Sequence, residues 1–373
     1  MPITLNGDTG IQTPMYNGTI TANAVTPSVN MKNRIINGAM VIDQRNAGAS
    51  VTPTTANDTY AVDRFVFLVA QASKLTAQQN AGSVTPPAGF SNYLGCTSSS
   101  AYSVLTGDYF GFKQPIEGFN TADLAWGTAN AKTVTLSFQV YSSLTGNFGA
   151  SVYNSAGNRI YPISYSIPVA NTWTSISVTI PGDTTGTWIG ATNGIGLQVF
   201  FSLGAGSSNT GTAGAWGTTG FGGGTGTVSV VGTSGATFYI TGVQLEVGST
   251  ATSFDTRSYG TELALAQRYY AKMNSLSGNF VGFGSGVDVS STGAIVVINY
   301  PTTMRAAPTL AVSNVRIADG TTDATVTALT TTLYGSDSLL TQVAVASGLA
   351  ASRGCVLLGN NNAAAYVELS SEL

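Results

Sequence analysis

"FYITGVQLEVGSTATSFDTRSYGTELALAQRYY", residues 238–270, is the stretch that decides the fold. It contains a strand pattern, a glycine turn at Gly248, a cluster of acidic and basic residues, and a helix signal. We interpret it as the junction between a β domain and an assembly domain. In this interpretation the strand completes the first domain, Asp255 and Arg257 pair where the chain leaves it, and the helix begins the second.

The helix signal covers residues 258–273, "SYGTELALAQRYYAKM". Thr261 can cap its start, and Glu262 suits the positive end of the helix dipole. Arg268 and Lys272 suit the negative end. Apolar side chains surround much of the circumference, so the helix must be buried on more than one side, either within the chain or by bundling of several copies. The residues that we predict at an oligomer interface are Leu263, Leu265, Ala266, Tyr269, Tyr270 and Met273.

Residues 33–257 repeat a pattern of short strands separated by turns. In "KTVTLSFQVYSS" (residues 132–143) apolar residues alternate with polar ones, and "TWTSISVTIPGD" (172–183) repeats the alternation. We also predict strands in "NRIINGAMVIDQRNAG" (33–48) and "GTVSVVGT" (226–233). Alternation with a period of two, Gly and Pro punctuation and little helix signal predict an all-β, antiparallel jelly-roll sandwich.

Three further regions complete the predicted organisation. Residues 1–32 are polar and lack a sustained period, so we predict an extended arm that is ordered against a partner. Residues 203–227 are rich in glycine and predict a long, mobile loop that Trp216 and Phe221 attach to the sandwich. Residues 274–373 return to strand patterns and predict a second, smaller β-sandwich domain, joined to the first by the helix.

Charged residues make up only 8% of the 373 residues, against roughly 25% in average soluble domains. Such a low charge weakens repulsion between copies and favours association. The net charge of −3 and the absence of a Lys/Arg run argue against nucleic acid as a partner. No apolar stretch is long enough for a membrane helix, and the first residues do not resemble a signal peptide.

The chain has no histidine, which excludes Ser–His and Cys–His nucleophiles and histidine zinc sites. Cys96 and Cys355 predict two buried thiols and no disulfide framework. A polysaccharide hydrolase would need two facing carboxylates, but Asp183 fits a turn and Asp63 fits a local ion pair with Arg64. The candidate carboxylates of the first domain are Asp43, Asp63, Asp108, Glu117, Asp123 and Asp183. We therefore expect no enzyme, no cofactor and no metal, since no calcium-loop pattern is present either.

Several segments resemble a widespread group of tailed-phage virion proteins of the tail fibre or receptor-binding type. They are residues 33–48, "YAVDRF", "SISVTIPGDTTGTW", residues 238–270, "PTTMRAAPTL" and the ending "YVELSSEL". The resemblance extends over residues 33–373. It implies a jelly roll like that of carbohydrate-binding modules, a C-terminal domain, and a homo-oligomer, commonly a trimer, on the outside of a particle. Ala266 departs from the pattern, because many relatives carry Cys there.

With this resemblance, the sequence favours a tail fibre or receptor-binding protein on the virion surface that contacts a host-surface glycan. The arm would dock to other virion proteins after assembly in the host cytoplasm. The alternative is a purely structural role, as a capsid-surface fibre or a tail adaptor, and a depolymerase is third.

Flat aromatic rings can stack on the apolar face of a sugar ring, although core packing or loop anchoring is the commoner use of any single aromatic residue. The glycan-binding candidates are Tyr102, Tyr109, Trp126, Trp188 and Trp216. Trp173 is a weaker candidate, because it opens an alternating strand.

Overall fold

The computed structural model describes residues 5–6, 10–11, 31–56, 58–275 and 280–373. By its contacts the chain divides into two units, Met1–Lys32 and Asn33–Leu373. In the first unit β1 (Leu5–Asn6) pairs with β2 (Gly10–Ile11) in antiparallel fashion. The rest of the predicted arm lies almost entirely outside the described residues.

The predicted fold class is confirmed, because the second unit begins with two antiparallel sheets packed face to face. The six-stranded sheet has the order β10-β9-β12-β7-β4-β3 and the five-stranded sheet the order β11-β8-β13-β6-β5. The strands of the first are β3 (Thr59–Val62), β4 (Phe65–Val69), β7 (Tyr109–Glu117), β9 (Gly146–Tyr153), β10 (Ile160–Ile167) and β12 (Ile195–Ala205). Those of the second are β5 (Leu75–Gln79), β6 (Leu94–Ser98), β8 (Val134–Ser142), β11 (Thr174–Ile180) and β13 (Thr237–Val247).

Aromatic rings fill the space between the two sheets. Phe112 on β7 stacks on Phe201 of β12 at 5.4 Å, and its ring lies 6.2 Å from that of Phe238 on β13. Phe138 on β8 meets Phe201 edge to face at 5.1 Å. All four side chains are buried. Because burial of each large apolar side chain stabilises the fold by about 1.5–3 kcal/mol, this aromatic layer is the main core of the sandwich.

Two of the strands predicted from apolar runs are absent. Residues 33–48 form turns and extended backbone, although Ile35 and Met40 are buried. Side-chain amides replace the ladder there: the Asn33 Oδ1 atom accepts from the backbone N–H groups of Ile35 and Leu245, and Asn37 exchanges hydrogen bonds with the backbone of Ile42. Residues 226–233 also form turns rather than a strand. An apolar run predicts that the side chains are buried, but it does not predict how the backbone is hydrogen-bonded. In both places the backbone N–H and C=O groups bond to partners other than a neighbouring strand.

The helix α1 is shorter than predicted and covers Tyr259–Gln267. Its N-cap is Ser258, whose side chain accepts from the backbone N–H of Thr261, so Thr261 is not the cap. Residues Tyr270–Asn274 form β14, which pairs with β22 (Tyr366–Ser370). Pairing with a strand about 100 residues away outweighs the local helix preference, which is only a weak prior.

The predicted oligomer-interface residues fall into two groups. Ala266, Tyr269 and Tyr270 are buried within the chain itself, so their side chains are not accessible to a second copy in this conformation. Leu263, Leu265 and Met273 are half-buried. The apolar side chains of the first group are therefore buried by packing inside one chain. This is one of the two alternatives that the sequence left open.

Beyond the helix, the chain forms a three-stranded sheet of order β14-β22-β17, with β17 at Thr309–Ser313. The remaining strands form a closed barrel, where the sequence predicted a sandwich. They are β15 (Gly282–Ser290), β16 (Gly293–Asn299), β18 (Val315–Ala318), β19 (Asp323–Tyr334), β20 (Ser338–Val345) and β21 (Gly354–Gly359). Closure results because β15 pairs with β16 on one side and with β21 on the other, which leaves no open edge.

A cluster of buried and half-buried ionic and aromatic side chains, which we name the charged seam, joins the sandwich to the C-terminal strands. Its members are Arg45, Tyr60, Asp63, Arg64, Glu117, Arg268, Tyr269, Tyr270 and Glu372. The guanidinium of Arg45 lies between the rings of Tyr60 and Tyr270, at 4.0 and 3.5 Å from their centroids. It also pairs with Asp63 at 3.2 Å and with Glu372 at 3.0 Å. Burial raises the pKa of Asp63 to about 6, although Arg45 opposes the shift.

The other half of the charged seam involves Arg64 and Glu117. Arg64 is 1% exposed, lies 3.6 Å from the centroid of the Tyr269 ring and pairs with Glu372. Glu117 accepts from Arg268 at 2.6 and 2.9 Å and from the Tyr269 hydroxyl at 2.7 Å. Burial alone would raise the pKa of Glu117, but the hydrogen bonds from Arg268 and Tyr269 outweigh it and lower the pKa.

These contacts correct one predicted ion pair and confirm another. Asp63 pairs with Arg45 instead of its neighbour Arg64, whose guanidinium turns toward Glu372. Asp255 and Arg257 do meet where the chain leaves the sandwich, at 3.6 Å. Both residues lie in the turn between β3 and β4, where the backbone of Arg64 is left-handed with a φ of 73°.

We predict that Glu372→Ala lowers the free energy of unfolding by about 3 kcal/mol, because it leaves the buried Arg64 without its carboxylate. Urea unfolding followed by circular dichroism measures the loss. Glu368→Ala is the matched control: Glu368 is also near the C-terminus, but it is 24% exposed and pairs with Lys272, so it should cost about 1 kcal/mol or less. Equal losses in the two variants would contradict a central role for the charged seam.

Candidate functional site

The outward face of the five-stranded sheet carries a row of small polar side chains. Ser137 and Gln139 on β8 lie directly opposite Ser177 and Ser175 on β11. The intervening Phe138 points inward and is buried. Because strand side chains alternate between faces, the pattern that fills the core also places these hydroxyls and the amide outside.

Two loops border this row and form a depression of about 440 Å³, which we name the sheet-face groove. It is lined by Ala88, Gly89, Phe90, Ser137, Phe138, Gln139, Ser175, Ile176, Ser177, Gly242, Ala251, Thr252, Ser253, Phe254 and Thr256. The volume lies within the range of about 300–1,000 Å³ that is typical of ligand sites. None of these lining residues is charged.

The two phenylalanines of the groove meet from different loops. The rings of Phe90 and Phe254 lie 5.1 Å apart in an edge-to-face arrangement. Phe90 packs over Gly242, where a Cβ atom would approach its ring to 2.6 Å and where φ is +63°. Gly242 sits at an irregularity in the pairing of β13 with β8. Glycine is therefore required here both for backbone conformation and for space.

The polar groups of the groove retain hydrogen-bonding capacity. Ser175 Oγ donates to Gln139 Oε1 at 2.9 Å, which orients the amide, while Gln139 Nε2 donates to no described residue. A ligand rich in hydroxyl groups could accept from this amide.

An aromatic patch continues the same face of the sheet. Tyr141, two residues beyond Gln139 on β8, stacks on Tyr239 of β13 at 5.3 Å with an interplanar angle of 9°. The ring of Trp173 lies 5.5 Å from Tyr141 and 5.6 Å from Tyr93. Its indole N–H donates to the Thr85 carbonyl at 2.9 Å. Trp173 was the weaker sequence candidate. It directly precedes β11, and this position places its ring beside the groove.

Three of the five predicted glycan-binding residues come together elsewhere, as a tryptophan cluster. The rings of Trp126, Trp188 and Trp216 lie 4.7–5.5 Å apart, all edge to face. Their indole N–H groups donate to carbonyls of their own chain, at Lys132, Thr185 and Pro181 respectively. Trp126 is buried and the other two are half-buried. The cluster holds three loops together, and Trp216 anchors the glycine-rich tract as predicted.

Asp183 organises the loop beside the tryptophan cluster. Arg159 donates two hydrogen bonds to it, both at 2.7 Å, and the indole of Trp188 approaches it at 3.3 Å. Burial tends to raise the pKa of Asp183, but the hydrogen bonds from Arg159 and from Thr185 lower it. Asp183 also accepts from the backbone N–H of Thr185, so the predicted turn role is confirmed.

The remaining two predicted residues, Tyr102 and Tyr109, lie outside both the groove lining and the tryptophan cluster. The Tyr102 hydroxyl donates to Asp108 at 2.8 Å. The ring of Tyr109 meets Phe221 of the glycine-rich tract at 5.5 Å. Both side chains are half-buried and engaged in local packing.

Sequence reasoning did not identify the groove residues Phe90, Gln139 and Phe254. A signal was present in the alternation of Ser and Gln opposite the apolar residues of β8 and β11. Isolated phenylalanines in polar loops, however, give no sign of which sheet face they cover. The groove forms because the two loops meet over one face of the sheet, and this contact depends on the tertiary fold.

Each carboxylate considered for hydrolysis has a structural partner. Asp43 accepts from Asn46 and Gly48, and Asp123 pairs with Arg34 at 2.7 Å. Asp63, Glu117 and Asp183 hold arginines, as described above. Asp108 accepts from the backbone N–H of Leu105.

Both cysteines are buried free thiols, as predicted. The described residues contain no group of three or more acidic, Cys or His side chains placed to hold a metal ion. In the same part of the chain, no helix is both long and apolar enough to cross a membrane.

A scan of protein-family models finds no match to this chain, and a search of curated proteins finds no significant match either. Many solved structures are similar to part of it, and three of them are described. A putative sugar binding protein from Bacteroides thetaiotaomicron is 14% identical, with 58% of this chain and 100% of that chain covered and a TM-score of 0.33. TmCBM61, solved with β-1,4-galactotriose, is 9% identical, with coverages of 58% and 99% and a TM-score of 0.28.

The third structure is the enzymatically active domain of tailspike protein 4 from bacteriophage CBA120. It is 14% identical, with a TM-score of 0.31 over 58% of this chain, and the match spans only 22% of that chain. All three identities are below 25% and all three TM-scores are below 0.5, so these similarities say nothing about the ligand of this chain.

We predict that Trp126→Ala lowers the free energy of unfolding by about 3–5 kcal/mol, because it removes a buried ring that two other rings contact. Chemical denaturation monitored by near-ultraviolet circular dichroism measures it. Trp173→Ala, at a half-exposed ring on the sheet face, is the control and should cost clearly less. A small effect of Trp126→Ala would show that the tryptophan cluster does not hold the loops.

Proposed function

We propose that this chain is a phage virion protein of the receptor-binding type, and that the sheet-face groove binds a glycan of the host surface. The observation that carries the proposal is the combination in one groove of two aromatic rings, an oriented amide and several hydroxyls. The sequence resemblance of residues 33–373 supports the virion part of the proposal.

The chemistry of a sugar ring matches this lining. A pyranose presents an apolar face of C–H groups and an edge of hydroxyls. The rings of Phe90 and Phe254 offer apolar surface, while Gln139 offers amide hydrogens that no described residue uses. Single contacts of this kind are weak, and several copies on one particle would multiply them into firm attachment.

The rest of the predicted placement also belongs to the proposal. Residues 1–32 would dock the chain to other virion proteins, and the sandwich and barrel would stand on the virion surface. Assembly would take place in the host cytoplasm before release of the particle.

We predict that Phe254→Ala weakens glycan binding by about ten-fold and Gln139→Ala by about five-fold, since they remove a ring contact and a hydrogen bond respectively. A glycan array identifies a ligand, and isothermal titration calorimetry measures both variants against it. Tyr102→Phe is the control, because that ring lies outside the groove and should leave affinity unchanged. Unchanged affinity in both groove variants would place the ligand elsewhere and reject the groove.

Self-association is the second part of the proposed assembly, and the barrel exterior supports it. An outward row runs across five barrel strands through Val356, Ser285, Val297, Leu340 and Leu333, which are direct cross-strand neighbours. Val356 and Val297 are each 39% exposed and Leu333 is 64% exposed. Val287 and Ile295 extend the apolar surface into the next row.

This outer row contains no charged residue, so two identical copies can face each other through it without like-charge repulsion. An exposed apolar surface of several hundred Å² commonly marks an interaction site. We therefore place the contact between copies on the barrel, in a homo-oligomer that the resemblance suggests is a trimer, and no longer on the side chains of Tyr269 and Tyr270.

We predict that Leu333→Asp shifts the oligomer toward monomer, because each contact would bury uncompensated charges. Sedimentation equilibrium over a range of protein concentrations measures the change. Val169→Asp is the matched control, since Val169 is 55% exposed but lies on the sandwich side of the chain. A wild-type protein that stays monomeric at all concentrations, or a Leu333→Asp variant that associates like wild type, would contradict the proposal.

A further inference from the structure

We infer that the sheet-face groove selects an uncharged polysaccharide chain and rejects glycans that carry carboxylate or sulfate groups. This inference rests on the proposed function and adds the chemical class of the ligand. Its basis is the distribution of charge in and around the groove.

The groove itself offers no counter-charge to an anion. Its polar lining consists of the Gln139 amide and the hydroxyls of serines and threonines, and no Lys or Arg is among the lining residues. Hydroxyls and a primary amide can donate to and accept from sugar hydroxyls in either sense. A carboxylate or sulfate would be desolvated against the same groups with no cation nearby, which is unfavourable.

The charged groups behind the groove walls are predominantly acidic. Thr252, a lining residue, donates its backbone N–H and its hydroxyl to the carboxylate of Glu246, at 2.8 and 2.6 Å. Asp255, next to the lining residue Phe254, accepts from the backbone N–H of Asn33 at 3.3 Å. An anionic ligand would therefore approach two carboxylates.

Arg257 is the cation of this region, and its guanidinium is already occupied. It lies 3.6 Å from Asp255 and 3.3 Å from Glu262, and it donates to the Ile35 carbonyl at 3.1 Å. Asp255, Arg257 and Glu262 line a second depression, of about 120 Å³, that shares Phe90 and Phe254 with the groove. The pair of rings thus separates the uncharged groove from the charged pocket.

The shape of the groove fits a segment of a chain better than a single sugar. Its volume of about 440 Å³ exceeds what one ring needs, and Ser175, Ser177 and Thr252 on its walls are exposed to solvent. Tyr141 and Trp173 continue the same face beyond Gln139 and extend the surface over which a chain could lie.

The test uses the full-length protein in affinity gel electrophoresis and calorimetry with matched polysaccharide pairs. The pairs are hydroxyethyl and carboxymethyl cellulose, dextran and dextran sulfate, and a set of neutral and uronic-acid-containing bacterial polysaccharides. We expect retardation by at least one neutral member and weaker or no retardation by its anionic counterpart. Because no ion pair forms, Kd should change by less than about two-fold between low and high salt.

A designed variant tests the cause of the selectivity. Ser177→Lys places a cation on an exposed position of the groove and should strengthen binding of the anionic counterpart by at least about three-fold at low salt. Ser166→Lys is the matched control, because Ser166 is an exposed serine on β10 that does not line the groove. The control should bind like wild type.

The possible results separate the two claims. Salt-dependent binding of anionic members that Gln139→Ala weakens would overturn the inference and leave the proposed function standing. Binding that neither Gln139→Ala nor Phe254→Ala weakens would overturn both, since the ligand would then lie outside the groove. A protein that binds no member of the whole set overturns the glycan-binding function itself.

Discussion

The charged seam holds the two ends of the compact unit together. In a chain with so few ionic groups, the buried Arg64 and the half-buried Arg45 share the carboxylate of Glu372. Removal of one member of a buried ion pair typically costs about 3–5 kcal/mol, because the remaining charge is left without a partner. The end of the chain must therefore return to the β3–β4 hairpin, and this return fixes the position of β22 and of the three-stranded sheet beside the sandwich.

The same seam explains why the aromatic residues after the helix are buried within the chain. Tyr269 and Tyr270 stack on the two arginines, and Tyr269 also donates to Glu117. A cation over an aromatic face gains most where water is excluded. The junction is thus a tight interface within one chain, and residues 33–373 form one compact unit. The groove and the outer row of the barrel consequently belong to one body.

Low charge has different consequences in different places. On the sheet face, hydroxyl and amide side chains replace ionic ones, and this gives a groove that can accept sugar hydroxyls without separating ion pairs. On the barrel, the outward row of Val and Leu leaves a surface on which identical copies can meet. Most of the arginines and carboxylates are instead concentrated where they organise loops, as in the Arg159–Asp183 pair, or at the seam.

The all-β class, the inward faces of β8 and β11, the two buried thiols and the pairing of Asp255 with Arg257 could be predicted from the sequence, because these follow from alternation and from neighbours close in the chain. The three-dimensional fold was needed to show that Tyr270 begins a strand, that the last strands close into a barrel, and that Arg64 pairs with Glu372. It also decided that Trp126, Trp188 and Trp216 contact one another while Phe90 and Phe254 border the groove. Each of these features depends on partners that lie tens to hundreds of residues away. The local sequence pattern does not indicate which distant residue will pair with a strand edge, pack on an aromatic ring or neutralise a buried charge.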